Sequence, residues 1–420
     1  MDRITYGTLS TRRVCSLGKD VFLMKPQNSL EPGARTEGVI PLCVPEIRGN
    51  ELQYVKDCLD TGWVSSVGSY VTQFEEQLAR EIGVPYAVAT VNGTAALHVA
   101  LLCSGVEPND EVLVSTLTFI APANAVRYAG AFPIFIDAEP QFWQMNVKLV
   151  EEFLTKQCDW NGQEVRNRNT GRRVKAIIPV DILGSPVDID PLLTVAKKFG
   201  LAVVQDATES LGSFYKGTPV GSQADVSCFS FNGNKLITTG GGGMIVTSDA
   251  TIAQRARYLT TQAKNDPVEY IHGAVGFNYR LTNVQAAIGV GQMEELTNYV
   301  AIKRENARRY NDGLVDVSGI TPMPEADYAT NSFWLYTILV DKAQFGMSSR
   351  DLLAHLSTRN IQSRPLWQPM HRSPAHKGNA FVGGSVADSL CRDALSLPSS
   401  VGLSQLELDS VIAAIRNVAR

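Results

Sequence analysis

From Ile40 onward the chain alternates between helical periodicity and short unbroken apolar runs. EIRGNELQYVKDCLD (46–60) gathers its apolar positions on one helical face and stops near Gly62. VTQFEEQLAREIG (71–83) does the same and stops at Gly83. Strand and helix patterns then follow in turn. YAVATV, EVLVS, FPIFID, VKAIIPV and LAVVQD read as strands; GTAALHVALLCSG, APANAVRYAG and DPLLTVAKKFG read as helices. These strands are continuous apolar runs. A strand of that kind is buried on both faces, which predicts a mostly parallel sheet covered by helices.

After about residue 255 the pattern changes. LTNVQAAIGVGQMEELTNYVAIKRENARRYNDGL (281–314) predicts one long helical region with no breaker before Gly313. SFWLYTILV (332–340) alternates and predicts a half-buried antiparallel strand. SSRDLLAHLSTRN opens with Ser348 and Asp351 in capping-box spacing and continues as a helix. The expected organisation is a polar arm over 1–38, a large α/β domain over 39–255, and a long helix with a smaller α+β C-terminal domain over 256–420.

Composition narrows the function classes. With 420 residues, 44% hydrophobic and 19% charged, the chain has the make-up of an ordinary globular protein of more than one domain. A formal net charge of −4 and the lack of a basic, aromatic-interleaved run argue against nucleic-acid binding. The apolar runs are too short to span a bilayer, and no secretion signal is expected at the N-terminus. Seven scattered cysteines without a C-x-x-C pair suit a reducing cytoplasm and mostly buried thiols. His355, His371 and His376 lack metal-ligand spacing, so no metal is expected.

In parallel sheets the chemistry sits at the carboxyl ends of the strands. After YAVATV come Asn92, Gly93 and Thr94, opening a helix. Small residues there suit simple capping, or a phosphate held by free N–H groups and the Thr94 hydroxyl. After EVLVS comes Phe119, a core residue or a stacking face. LAVVQD ends on Asp206, which caps a turn or awaits a cation or donors, because a buried carboxylate is costly alone. Then FSFNGNKLITTGGGG places Lys235 among small and polar residues. Asn234 and Leu236 flank it, so the Walker pattern fails; the glycines that follow are not spaced G-x-G-x-x-G and precede a strand, so the dinucleotide fingerprint fails too. Pyridoxal phosphate asks for this set together: an amine for its aldehyde, a carboxylate for its pyridinium, an aromatic face, and donors for its phosphate.

VNGTAALHVAL, TFIAPANAV, VVQDATESLGS, SFNGNKLITTGGGGMIVT and GFNYRLTNVQAAIG resemble the DegT/StrS family of nucleotide-sugar aminotransferases, enzymes of the fold-type-I pyridoxal-phosphate class. The likeness runs from about Ile40 to the C-terminus. PLCVPEIRGNE, TGWVSSVGSYV and RPLWQPMH are most similar to the branch acting on UDP-4-keto-6-deoxy-N-acetylhexosamine, which serves bacillosamine- and legionaminic-acid-type polysaccharide pathways. The resemblance implies that Lys235 is the Schiff-base lysine, Asp206 the partner of the pyridine nitrogen and Phe119 the aromatic on the ring. Gly93, Thr94 and Ser230 match the phosphate contacts, and Asn278 one that reaches the phosphate from a neighbouring subunit of a homodimer. Glu209 stands where a Gln or His bonds the cofactor's 3-hydroxyl, a departure that requires a proton on one of the two. TTGGGG departs from the commoner TTGEGG. The retained lysine sets the chain apart from related 3-dehydratases, which carry His there.

By the same resemblance L-glutamate is the amino donor and the acceptor is the C4 ketone of UDP-4-keto-6-deoxy-GlcNAc. GDP- or dTDP-linked keto sugars, as in perosamine formation, and a non-catalytic regulator are the alternatives. Trp63, Ser65, Ser66, Arg364 and His371 are the expected substrate contacts.

Overall fold

The computed structural model describes residues 38–266 and 268–419. The predicted arm lies outside them save for its last position. The principal sheet has ten strands among the described residues. Along its main path lie Tyr86–Thr90, Gly243–Thr247, Val226–Ser230, Ala202–Asp206, Arg173–Ile178, Glu111–Ser115, Phe132–Ile136 and Phe381–Val382. From Val226–Ser230 to Phe381–Val382 every pairing is parallel. Only Gly243–Thr247 on this path runs against its neighbours. The apolar runs behave as predicted, because each face meets its own helix layer. Val112 and Val114 pack with Leu97, Val99 and Val126 on one side; Leu113 packs with Phe153, Leu154 and Leu192 on the other.

The register brings the chemistry together. Cys228 stands beside Asp206, Ser230 beside Gly243, and Gly243 beside Thr90. The carboxyl ends of three parallel strands therefore open onto one place. Gly243 is needed for this alignment: a Cβ there would lie 2.5 Å from the Asn92 carbonyl and 2.7 Å from the Gly93 nitrogen. Gly241 is different. Its nearest neighbour would be the Gln285 amide at 3.9 Å, so the position that carries Glu in TTGEGG has room for a side chain.

A second, four-stranded antiparallel sheet follows the order Ile320–Pro322, Tyr336–Val340, Ala394–Leu397 and Arg364–Pro365. Three sequence expectations change here. The long helical region is two helices, Asn283–Glu294 and Leu296–Leu314, broken at Glu295. The first buries Ala286 and Val290 against Phe74, whereas the end of the second buries Tyr310 and Leu314 in the core of the antiparallel sheet. A break lets one apolar stripe serve two cores. Gly313 ends nothing; it lies within the helix, and a Cβ there would come within 2.7 Å of Ile412. Tyr336–Val340 is central rather than half-buried, with only Leu339 partly exposed. Two elements also cross the boundary expected near residue 255: helix Ala250–Thr260 continues through it, and Phe381–Val382 returns to the principal sheet. The described cysteines are free; Cys58, Cys158 and Cys228 are buried, and Cys43, Cys103 and Cys391 only partly so. Among the described residues no helix is long and apolar enough to cross a membrane.

Asp137 ties the returning segment down. Its carboxylate is buried and accepts from the N–H groups of Ala138, Gly384, Val386 and Ala387 at 2.8–3.2 Å. Removing it strands four donors. Asp137→Ala is expected to lower stability by about 3 kcal/mol in denaturant titration, the order for charge-assisted bonds lost in the interior.

Candidate active site

The cleft at the strand ends is lined by Asn92, Gly93, Thr94, Thr118, Phe119, Asp206, Thr208, Glu209, Ser230, Asn234, Lys235, Trp334 and Trp367, among others. Each wall has a local cause. Asn92 is extended and its side chain accepts from Ala95 N at 2.8 Å, which starts the helix Gly93–Cys103 with Gly93 and Thr94 at the cleft. Gly93 leaves room that a side chain would take: a Cβ would sit 2.9 Å from Ser230 Cβ and 3.2 Å from its hydroxyl. Asp206 ends its strand fully buried and accepts from Thr208 N at 3.1 Å. Burial raises its pKa, against the Thr208 hydrogen bonds and the nearby Lys235.

Lys235 rises from the turn after Val226–Ser230. Its side chain is 13% exposed and Nζ lies 3.6 Å from Glu209 Oε1. The indole of Trp334 covers it, with the ring centroid 3.9 Å from Nζ. Trp334 Nε1 also donates to the Asn234 carbonyl at 2.6 Å, fixing the main chain just before the lysine. Trp367 lies parallel to Trp334 at 6.2 Å, and Phe119 meets Trp367 edge-on at 6.5 Å.

Glu209 is buried and accepts from Leu183 N at 2.8 Å. Leu183 adopts φ 61°, a strained conformation for a branched residue, and so aims its N–H at this carboxyl. Burial lifts Glu209 to about 7, with Lys235 opposing. Behind it Asp181 is fully buried and also lifted to about 7 by desolvation, although Val187 N, Gln205 Nε2 and Ser210 Oγ all donate to it. Glu209 and Asp181 are thus two buried carboxyls that the loss of water pushes toward their protonated forms.

The cleft brings together Gly93, Thr94, Phe119, Asp206, Glu209, Ser230 and Lys235. The other expected residues lie elsewhere. Asn278 is exposed, bridged to Thr261, beside Tyr279 whose carbonyl accepts from Val91 N at 2.7 Å. Trp63 and Ser65 are exposed on a loop, with Ser66 between them and Tyr70; Asn283 staples this loop through Trp63 O, Ser65 O and Tyr70 N. Arg364 is exposed on a short strand and donates to Ser363 O. His371 is turned into packing: its Nδ1 bonds the Thr116 hydroxyl at 2.8 Å and its ring stacks on Phe381 at 3.8 Å. Burial lowers its pKa. Trp334, Trp367 and Thr208 were missed by the sequence reading. Thr208, two residues after Asp206, had a turn-forming spacing that announced it; Trp334 was hidden in an alternating strand pattern.

The sequence profile of the DegT/DnrJ/EryC1/StrS aminotransferase family matches residues 45–416. The chain belongs to that family. It is 38% identical over 382 residues to a GDP-perosamine synthase of Caulobacter vibrioides, covering 90% of this chain and 98% of that protein. It is 37% identical to the putative pyridoxal phosphate-dependent aminotransferase EpsN of Bacillus subtilis, over 89% of this chain and 94% of that one. The crystal structure of a DegT DnrJ EryC1 StrS aminotransferase from Brucella abortus superposes with a TM-score of 0.80 at 28% identity, over 88% of this chain and 95% of the other. The protein is therefore a fold-type-I, pyridoxal-phosphate-dependent sugar aminotransferase. Its cleft suits that cofactor: Thr94, Thr208 and Ser230 line it at a helix start where a Cβ on Gly93 would crowd Ser230, with one lysine amine and the buried carboxyls of Asp206 and Glu209 alongside.

Glu209 and Asp181 have folded pKa values raised above their unfolded ones. Their protonated forms favour folding, so their contribution is fully present below the unfolded values and is lost as pH rises to about 7. The cofactor-free protein should lose thermal stability from these groups between pH 5 and 7.5. Glu209→Gln should flatten that decline in melting experiments; an unchanged slope would show that burial of Glu209 does not set it.

Proposed function

We propose that the aminotransferase uses Lys235 as its cofactor-linked amine and proton carrier, Asp206 to hold a proton on the ring nitrogen, and Gly93, Thr94 and Ser230 to seat the phosphate. The observation that carries this reading is the enclosure of the Lys235 amine in one cleft with Asp206, Glu209 and the start of helix Gly93–Cys103. Pyridoxal phosphate supplies an aldehyde for amines and a pyridinium that accepts an electron pair. Lys235 Nζ would take the amino donor's α-proton and return a proton one carbon away. Trp334 screens that amine from water, and Phe119 offers a face for the ring. Glu209, whose pKa burial lifts to about 7, would share a proton with the cofactor's 3-oxygen in place of the Gln or His expected there.

The amino donor in this reading is L-glutamate. The acceptor is a GDP-linked 4-keto-6-deoxy sugar of the perosamine type, supported by the 38% identity to a GDP-perosamine synthase over nearly its full length. That order reverses the one drawn from short motifs, which put UDP-4-keto-6-deoxy-GlcNAc first. A homodimer with Asn278 completing the partner's site belongs to the same proposal. It is supported by exposed apolar side chains on the loop with Trp63, Val64 and Val67 and around the hairpin with Val268, Tyr270 and Ile271, which a second copy would cover. Free thiols at every described cysteine support a cytoplasmic setting.

Lys235→Ala should lower turnover by on the order of 10³-fold or more, and Asp206→Asn should lose most activity while still folding. Substantial transaminase activity in Lys235→Ala removes the assignment. Adding L-glutamate to the holoenzyme should shift absorbance from about 410–430 nm to about 325–335 nm, as expected of a cofactor receiving the amine. In a panel of GDP-, UDP- and dTDP-linked 4-keto sugars, the GDP sugar should restore the longer-wavelength band fastest; faster reversal by the UDP sugar would return the acceptor to the motif-based order.

A further inference from the structure

A second lysine lies deeper than Lys235. Lys303, on the helix Leu296–Leu314, is 2% exposed. Its ammonium donates to the carbonyl of Trp334 at 2.8 Å and to the carbonyl of Ser399, and Cys43 Sγ lies 3.8 Å away. Among the described residues no carboxylate pairs with it. A buried ammonium without a counter-charge is costly, and an apolar residue of similar length would fill the space more cheaply. The charge needs a reason beyond packing.

Its contacts supply one. Trp334 and Cys43 both touch Lys303, and both also donate to the same acceptor: the Asn234 carbonyl receives Trp334 Nε1 at 2.6 Å and Cys43 Sγ at 3.3 Å. Asn234 immediately precedes Lys235, and the Trp334 ring lies over the Lys235 amine at 3.9 Å. Phe333, just before Trp334, is held at φ 50°, a conformation that an unanchored chain would leave. The buried ammonium grips the main chain immediately after this strained residue.

We propose that Lys303 is a positioning residue for amino transfer: through Trp334 and Cys43 it fixes the Asn234 carbonyl and the indole face, and so the direction of the Lys235 amine. The proposal rests on the reading of Lys235 given above. Lys303 touches no reacting atom; it acts as a clamp beneath the lysine turn, joining segments from both sheets.

The test compares wild type, Lys303→Met, Trp334→Phe, Cys43→Ala and the Trp334→Phe/Cys43→Ala pair. Two readouts apply. In the holoenzyme, kcat and KM for L-glutamate are measured separately. In the cofactor-free protein, labelling of Lys235 by an amine-reactive acetylating reagent is followed against pH by peptide mass spectrometry. Lys303→Met should lower kcat by on the order of 10–100-fold, the order expected for a misdirected reacting group, with KM changed by less than about threefold. It should also speed Lys235 labelling several-fold and shift its pH profile, which a merely structural loss elsewhere would not do. The double variant should move both readouts the same way and further than either single change. If Lys303→Met does not fold, the double variant decides. Unchanged kcat and labelling in a folded Lys303→Met, or in the double variant, overturns the proposal while Lys235→Ala still abolishes turnover. If instead Lys235→Ala remains active, the assignment of Lys235 fails, and the labelling comparison still reports whether the clamp directs that amine.

Discussion

A lysine amine must be kept out of water and beside carboxyls without being neutralised beyond use, and most of the site's architecture answers that demand. The parallel strands deliver Asp206 and the turn before Lys235 to the same edge because their registers coincide there. Glu209 is close enough at 3.6 Å to feel the amine, but it is held back by its bond to Leu183 N. The antiparallel sheet then contributes the roof. Its loop carries Trp334 over the amine, so the aromatic cover comes from about a hundred residues beyond the lysine it shields.

This arrangement has a cost in stability. Asp181, Asp206 and Glu209 are all buried within one region, and each is shifted toward its protonated form by the loss of water. Strained backbone at Leu183 and Phe333 adds to that cost. Such tension is expected where function, rather than folding, selects the residues. The helix layers offset it. Both faces of the sheet are sealed by dense apolar packing, which counters the cost of taking these carboxyls out of water.

The sequence made the α/β alternation legible because doubly buried strands show as unbroken apolar runs. Lys235 and Asp206 were legible because each stood out against its neighbours: an amine among glycines, a carboxylate at the end of an apolar strand. What stayed hidden depended on distance in the chain. Nothing local to SFWLYTILV shows that Trp334 leaves the strand and crosses to the lysine turn; the positive φ at Phe333 that sends it there is set by tertiary contacts. The break at Glu295 was hidden for a related reason, since two cores share one continuous helical pattern. His371 and Arg364 lie in a motif near the site, but only the tryptophan between them, Trp367, lines the cleft.

The pairing of Tyr86–Thr90 with Gly243–Thr247 carries a consequence for how the protein is made. The strand that leads into the Asn92–Thr94 turn is synthesised early, yet its ladder partner among the described residues emerges after a further stretch of more than a hundred residues. At translation rates of roughly 5–20 residues per second, that strand waits for many seconds with an open edge. The Asn92–Thr94 wall of the cleft is consequently among the last parts of the principal sheet to take shape, and a nascent chain does not complete it until the glycine tract and the strand behind it have left the ribosome.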